Sequence, residues 1–291
     1  MKKGGFKMII VQNLTHRYNG NTVDAVHDVN FEIEKGEIFG FLGPSGAGKS
    51  TVQNILIGLL PLQKGNVIYD SGSLKNMTKT FFEKVGVSFE LPNIYEKLTG
   101  YENLKYYAGL FNRKTEDPDK ILERVGLSDA RNKKAQDYSK GMKQRLVFAR
   151  SIINNPEILF LDEPLSGLDP TTAKKIKEII KEKKRQKNTI FLTTHNMFVA
   201  EELCDRVAFI NEGRIVAMDT PKNLKLQYGT KSVKVEYKEA EGVKSEIFFL
   251  DKGNEKERLS DLMKTKDVVT VHSQEATLEQ IFIKLTGREL M

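Results

Sequence analysis

Eight consecutive residues, Gly43-Pro44-Ser45-Gly46-Ala47-Gly48-Lys49-Ser50, constrain this chain more than any other stretch of it. They fit the phosphate-binding pattern G-x-x-x-x-G-K-[ST] in full. The glycines let the backbone curl until successive N–H groups point inward at an anion. A helix that starts there turns its positive end to the same anion. Such a loop needs a buried strand before it and a helix after it. Residues 37–42 are a short apolar run, and residues 49–60 carry a helical pattern. In that setting Lys49 reaches the β- and γ-phosphates of a nucleotide, and Ser50 ligates Mg²⁺.

A second run completes the chemistry. Residues 158–161 are four apolar residues that read as a buried strand, ending in Asp162 and Glu163. Asp162 is placed to hold Mg²⁺ and Glu163 to orient or deprotonate an attacking water. The rest of the chain is organised around these two runs. Residues 8–14 and 29–33 alternate like antiparallel strands. Residues 91–155 turn mostly helical, with candidates at 101–111, 118–125 and 141–154. Beyond Pro156 come strand 158–161, helix 171–185, strand 189–193, helix 197–204 and strand 206–211. The expected fold is α/β with an antiparallel β subdomain and a helical insertion.

A break is expected at residues 227–230, which divides the chain into a domain of 1–228 and a small α+β domain of 229–291. Strands at 232–237, 245–250 and 268–272 and helices at 259–264 and 277–285 are expected in the latter. Thr277 and Gln280 have the spacing of a capping box.

Composition sets the class of chain. It is 39% hydrophobic and 29% charged, the balance of a soluble globular protein. No apolar run approaches the roughly 20 residues that cross a bilayer. Lys2 and Lys3 are not followed by the apolar segment of a secretion signal. Cys204 is the single cysteine, so no intrachain disulfide forms, and a reducing, cytoplasmic setting is expected. The net charge of +7 is local: residues 174–187 hold eight basic and two acidic side chains, a net of +6, leaving +1 elsewhere. Ile176, Ile179 and Ile180 make this an amphipathic helix, whose basic face is either solvated or turned to an anionic surface.

Just before the acidic strand stands Tyr138-Ser139-Lys140-Gly141-Met142-Lys143-Gln144-Arg145. It resembles the signature of the ATP-binding-cassette (ABC) family, L-S-G-G-Q-x-Q-R, at Ser139, Gly141, Gln144 and Arg145. It departs at Tyr138, Lys140 and Met142. The resemblance extends further: Ser166-Gly167-Leu168-Asp169 is similar to the family's D-loop, His195 to its switch histidine, and Tyr18 to the aromatic that stacks on adenine. Where the family carries a glutamine, this chain has Glu90. A carboxylate there suits Mg²⁺ but is repelled by the γ-phosphate.

The resemblance implies an ATPase that takes ATP and Mg²⁺. Nucleotide would lie on Tyr18, on residues 43–50 and on Thr51, with Lys49, Glu163 and His195 catalytic. Ser50, Asp162 and Glu90 would hold the metal. Ser139, Gly141 and Asp169 would act in trans, closing a dimer of identical or related subunits over the nucleotide. It further implies a separate transmembrane permease, docked where the helical insertion meets the Glu90 loop, and a peripheral place on the inner face of the membrane. The signature variant and residues 276–290 resemble the drug, antibiotic and bacteriocin exporter branch. The tail either packs the small domain or regulates the dimer. A non-transport ABC ATPase acting on ribosomes or DNA is the alternative. Neither a second cassette nor a long coiled coil is present to support it, and no nucleic-acid partner is expected.

Overall fold

The computed structural model describes residues 6–240 and 242–287. They form two compact units, residues 6–218 and 219–287. The sequence-based readings of residues 2–3 and 288–291 lie outside the described residues.

The first unit opens with strands β1 (Lys7–His16), β2 (Val26–Glu34) and β3 (Ile38–Leu42), and then helix α1 (Lys49–Leu56). Strands β4 (Lys64–Tyr69) and β5 (Gly72–Ser73), the short helix α2 (Lys79–Phe82) and strand β6 (Val85–Ser88) follow. The helical insertion holds α3 (Gly100–Ala108), α4 (Pro118–Arg124) and α5 (Lys140–Ile152). The unit closes with β7 (Ile158–Asp162), α6 (Pro170–Arg185), β8 (Thr189–Thr194), α7 (Met197–Leu203), β9 (Arg206–Asn211) and β10 (Arg214–Asp219).

These strands make two sheets, one of four strands ordered β2-β1-β4-β5 and one of six ordered β10-β9-β3-β8-β7-β6. In the larger sheet β3 runs parallel to β8 and β9, and β7 parallel to β8 and β6. Every residue of β3, β7 and β8 is buried. That explains why their sequences read as continuous apolar runs rather than alternations. Phe31 of β2 stacks on Phe39 of β3 with ring centroids 5.3 Å apart, so the main core lies between the two sheets. Because β3, β8 and β7 are neighbours and parallel, the loops leaving their C-terminal ends meet at one edge, where open α/β sheets bind ligands.

The structure departs from the sequence reading at several points. Helix α1 stops at Leu56, four residues short, because Gly58 turns left-handed at φ +74° and the N–H groups of Leu59 and Leu60 fold back to Asn54. Strands β4, β6 and β10 carry mixed or glycine-containing sequences without clean alternation. On the basic helix α6, the three isoleucines are buried as expected. Four of its basic side chains are answered within the chain: Lys177 and Lys181 pair with Glu202, Lys184 with Asp205, and buried Lys183 with Glu116.

The second unit contains α8 (Pro221–Tyr228), β11 (Ser232–Glu239), β12 (Gly242–Phe249), α9 (Glu255–Thr265), β13 (Asp267–Gln274) and α10 (Leu278–Thr286). Helix α8, capped by Thr220, runs through Gln227 and Tyr228, where the sequence suggested a break. The strands form an antiparallel sheet ordered β12-β11-β13. Val235, Tyr237 and Phe248 bury one face against Leu259 and Leu262. Both hydrogen bonds of the Thr277–Gln280 capping box are present.

Candidate active site

The loop between β3 and α1 is shaped by what its glycines avoid. A side chain at Gly43 would meet the carbonyl oxygen of Ile210 at 2.3 Å. Gly48 sits at φ +107°, and a Cβ there would lie 2.7 Å from the Ala25 carbonyl. Both positions therefore require glycine. The curled backbone carries Lys49 inward, where it is 8% exposed and its Nζ donates to the carbonyls of Gly43 (2.7 Å) and Pro44 (3.0 Å). Burial pulls the Lys49 pKa down, and the nearby carboxylates of Glu163, Asp162 and Glu90 oppose that pull.

Strand β7 delivers Asp162 to the same edge. Ser50 Oγ donates to it at 3.0 Å, and the Thr193 hydroxyl of β8 donates to its other oxygen. Burial pushes the Asp162 carboxyl up, and these two hydroxyls oppose the shift. Glu163 follows at φ +45°, a conformation that strains a non-glycine residue and is found at functional sites. Its carboxylate is 7% exposed and holds three contacts: Oε2 accepts from Thr194 Oγ1 at 2.9 Å, and Oε1 lies 2.8 Å from the His195 main-chain nitrogen and 2.7 Å from His195 Nδ1.

One cavity of about 470 Å³ joins these groups. Tyr18, Ser45, Gly46, Gly48, Lys49, Ser50, Thr51, Glu90, Asp162, Glu163 and His195 all line it. Tyr18 lies just beyond β1, half-exposed, with its hydroxyl 3.0 Å from Thr51 Oγ1. Ser139, Gly141 and Asp169 do not line it. Ser139 caps α5 by accepting from the Met142 N–H, Asp169 caps α6 by accepting from the Thr172 N–H, and Gly141 sits against Gly167. Sequence reasoning missed Ala25 in the wall and Thr193 and Thr194, which fix the two carboxylates. The signal of the two threonines was the polar end of the otherwise apolar β8, directly before His195.

The donors at this edge are hard oxygens, few in number. Among the described residues no cluster of three His, Cys, Asp or Glu side chains could cage a metal unaided. A hydroxyl and a carboxylate 3.0 Å apart beside an anion-binding loop suit Mg²⁺ that arrives with phosphate oxygens. A larger cavity of about 640 Å³ lies within residues 219–287, but its Thr277 and Gln280 satisfy each other and Lys284 donates to the Tyr228 carbonyl.

Known proteins share this arrangement of sequence and fold. Residues 26–166 match the ABC transporter family. A fluoroquinolones export ATP-binding protein of Mycobacterium tuberculosis is 48% identical over 287 residues, which is 98% of this chain and 95% of that protein. A lantibiotic transport ATP-binding protein of Streptococcus pyogenes is 35% identical over 72% of this chain and 89% of its own. A solved dimer of an ATP-binding cassette in a post-hydrolysis state with ADP and Pi aligns with a TM-score of 0.67 at 27% identity, over 73% of this chain and 98% of that one.

Proposed function

This chain belongs to the ABC transporter family and is an ATP-binding, ATP-hydrolysing subunit of such a transporter; from that premise we propose how its residues divide the work. The observation that carries the proposal is the convergence of Lys49, Ser50, Glu90, Asp162, Glu163 and His195 on one cavity.

Lys49 leaves the Gly43 and Pro44 carbonyls for the β- and γ-phosphates, joined by the N–H groups of the loop. Tyr18 packs on the adenine from the rim of the cavity. Ser50 and Asp162 would hold Mg²⁺, with Glu90, which lines the same cavity, as a further oxygen donor. When bound, the ion neutralises charge on the phosphate oxygens. Glu163 is the general base for the attacking water. Its Oε1 already carries two contacts, both from His195, so a shift of the imidazole from Glu163 to the γ-phosphate would free an acceptor position on the base. The histidine thereby ties base release to the presence of triphosphate.

The exposed N-terminal end of α5, with Ser139 and Gly141, and Asp169 at the start of α6 are free to close over the nucleotide of a second subunit. Donors that reach the γ-phosphate only on association make ATP the link between subunits. A separate permease docks on the insertion, where Leu91, Tyr95, Tyr106 and Leu110 expose apolar surface beside the Glu90 segment. No described helix is long and apolar enough to cross a membrane. We extend the export named for the mycobacterial relative to this chain as its direction of transport.

Lys49→Ala tests the reading directly. ATP affinity, measured by equilibrium binding with Mg²⁺, is expected to fall by about 100-fold or more, the scale of removing one partner from a buried charge contact. Unchanged binding and turnover would overturn it. Purification from membranes is expected to bring a polytopic protein with the chain; recovery with ribosomes instead would overturn the transport assignment of this partner.

A further inference from the structure

Two of the chain's departures from the family's pattern carry opposite charges. Glu90 stands where the family has a glutamine, and Lys140 stands inside the signature where the family has a glycine. Glu90 is exposed and lines the nucleotide cavity. No described residue pairs with it, and its charge acts on Lys49 at longer range. Among the residues that line the cavity, one positive side chain, Lys49, faces three negative ones, Glu90, Asp162 and Glu163, a formal net of −2. Nucleotide bound there with Mg²⁺ adds further negative charge, because the triphosphate outweighs the ion. Covering such a site with a second subunit removes the water that screens it, so the repulsion grows as the site closes.

Lys140 is the first residue of α5, next to the capping Ser139. A cation there is unfavourable for its own helix, whose N-terminal end is already positive. The first turn of α5 contains no acid to offset it. The other lysine of that turn, Lys143, pairs with Glu96 at 2.7 Å. Lys140 is exposed and pairs with no described residue. Its stem is nonetheless seated. A side-chain carbon built on Gly167 would lie 3.2 Å from Lys140 Cε and 3.3 Å from its Cδ, so the stem runs along the turn that leads to Asp169. Asp169 itself is engaged by the Thr172 N–H. The patch that holds Ser139 therefore presents a fixed cation without a counter-charge of its own.

We propose that Lys140 of one subunit supplies the counter-charge for the carboxylate that Glu90 adds to the nucleotide cavity of the second, so that the two departures form a matched pair across the interface. This rests on the reading that Ser139 closes the site in trans. It adds to that reading a cation alongside the hydrogen-bond donors of the signature. It also adds a rule for partner choice: a second subunit without a cation at this position leaves Glu90 unanswered.

The test is a double-mutant cycle on the full chain, with Glu163→Gln in every member so that ATP persists and the charge at that position is the same throughout. The ATP concentration that makes half the chain dimeric in the presence of Mg²⁺ is read by analytical ultracentrifugation. Lys140→Met keeps the stem along Gly167 and removes the charge. It is expected to raise that concentration about tenfold, the scale of one close charge pair across an interface. In the Glu90→Gln chain the same substitution is expected to change it by less than about twofold. Lys140→Arg restores the parent value, and the tenfold gap narrows as salt rises from about 0.1 to about 0.5 M. ATP affinity of the dilute monomer stays within about twofold for Lys140→Met, because Lys140 does not line the cavity of its own chain. Equal losses with and without Glu90 overturn the proposal, as does no loss in either, and both results leave closure in trans standing. If the chain that keeps Glu90 and Lys140 stays monomeric with ATP, closure in trans has failed and the proposal falls with it.

Discussion

Within residues 6–218 the interior holds Lys49, Gln53, Asp162, Glu163, Arg150 and Lys183, all less than a tenth exposed; within residues 219–287 Ser232 is the one polar residue so buried among those described. The second unit keeps its charges outside, in surface pairs such as Glu239 with Lys244 and Lys266, and Arg258 with Glu246. Burying polar groups is costly unless each is matched, and of these six Lys49, Asp162 and Glu163 carry that cost at the nucleotide cavity. Substitution of the buried polar groups that line the cavity should therefore change chemistry more than stability, and substitution in the second unit should do the reverse.

The sharpest test is Glu163→Gln. The amide keeps the volume and one acceptor but cannot take a proton, so turnover is expected to fall by about 10²–10⁴. ATP binding should persist and thermal stability should change little. A large loss of stability with modest loss of turnover would make Glu163 a structural residue and erase the contrast. On the other side stands Phe248→Ala. Phe248 is buried in a core whose other buried members are Val235 and Tyr237. Truncation there is expected to cost the second unit about 3–5 kcal/mol, enough to open a small unit. Urea unfolding followed by hydrogen exchange over β11 to β13 should show that loss while ATP affinity stays unchanged, since every residue lining the nucleotide cavity lies in the first unit.

The same contrast explains what could be read from the amino-acid sequence. Lys49 and Ser50 were legible from the glycine-loop pattern that follows buried β3, Asp162 and Glu163 because they end the apolar run of buried β7, and His195 by its resemblance to the family's switch histidine just past β8. Thr277 and Gln280 were legible because a capping box is local. Thr193 and Thr194 showed only as the polar end of an apolar run, and their role was hidden because it lies in facing Asp162 and Glu163 across neighbouring strands, a relation that sheet order creates. Strand β6 was missed because its four residues, one of them glycine, carry no periodicity. It is defined by pairing with β7. The Arg150–Asn93 contact spans 57 positions and has no signature along the chain at all.

Thr277→Ala probes the second unit more gently. It removes the acceptor for the Gln280 N–H, 3.2 Å away, and should cost about 1 kcal/mol. The loss should appear as faster exchange in the first turn of α10 with no change in turnover. A change in ATP turnover beyond about twofold would mean that this helix takes part in the catalytic cycle, and the division between the units would need redrawing.

The smallest effect concerns the surface charges of the second unit. Glu239 accepts from Lys244 at 2.6 Å and from Lys266 at 2.9 Å. These contacts, Lys244 foremost, hold its carboxyl down to about 2 from an ordinary 4.5. A carboxylate with a depressed pKa binds its proton more readily in the unfolded chain. Its contribution is therefore complete above about 4.5, and it is lost progressively as the pH falls from there through about 2. Because Glu239 is open to solvent, the contribution is small and screened by salt. The stability of Glu239→Gln should trail the parent slightly at pH 7 in low salt, and the gap should close both in acid and at high ionic strength. A gap that survives 1 M salt would show that the Glu239 cluster acts through packing rather than charge. The second unit would then share the first unit's reliance on fixed polar geometry.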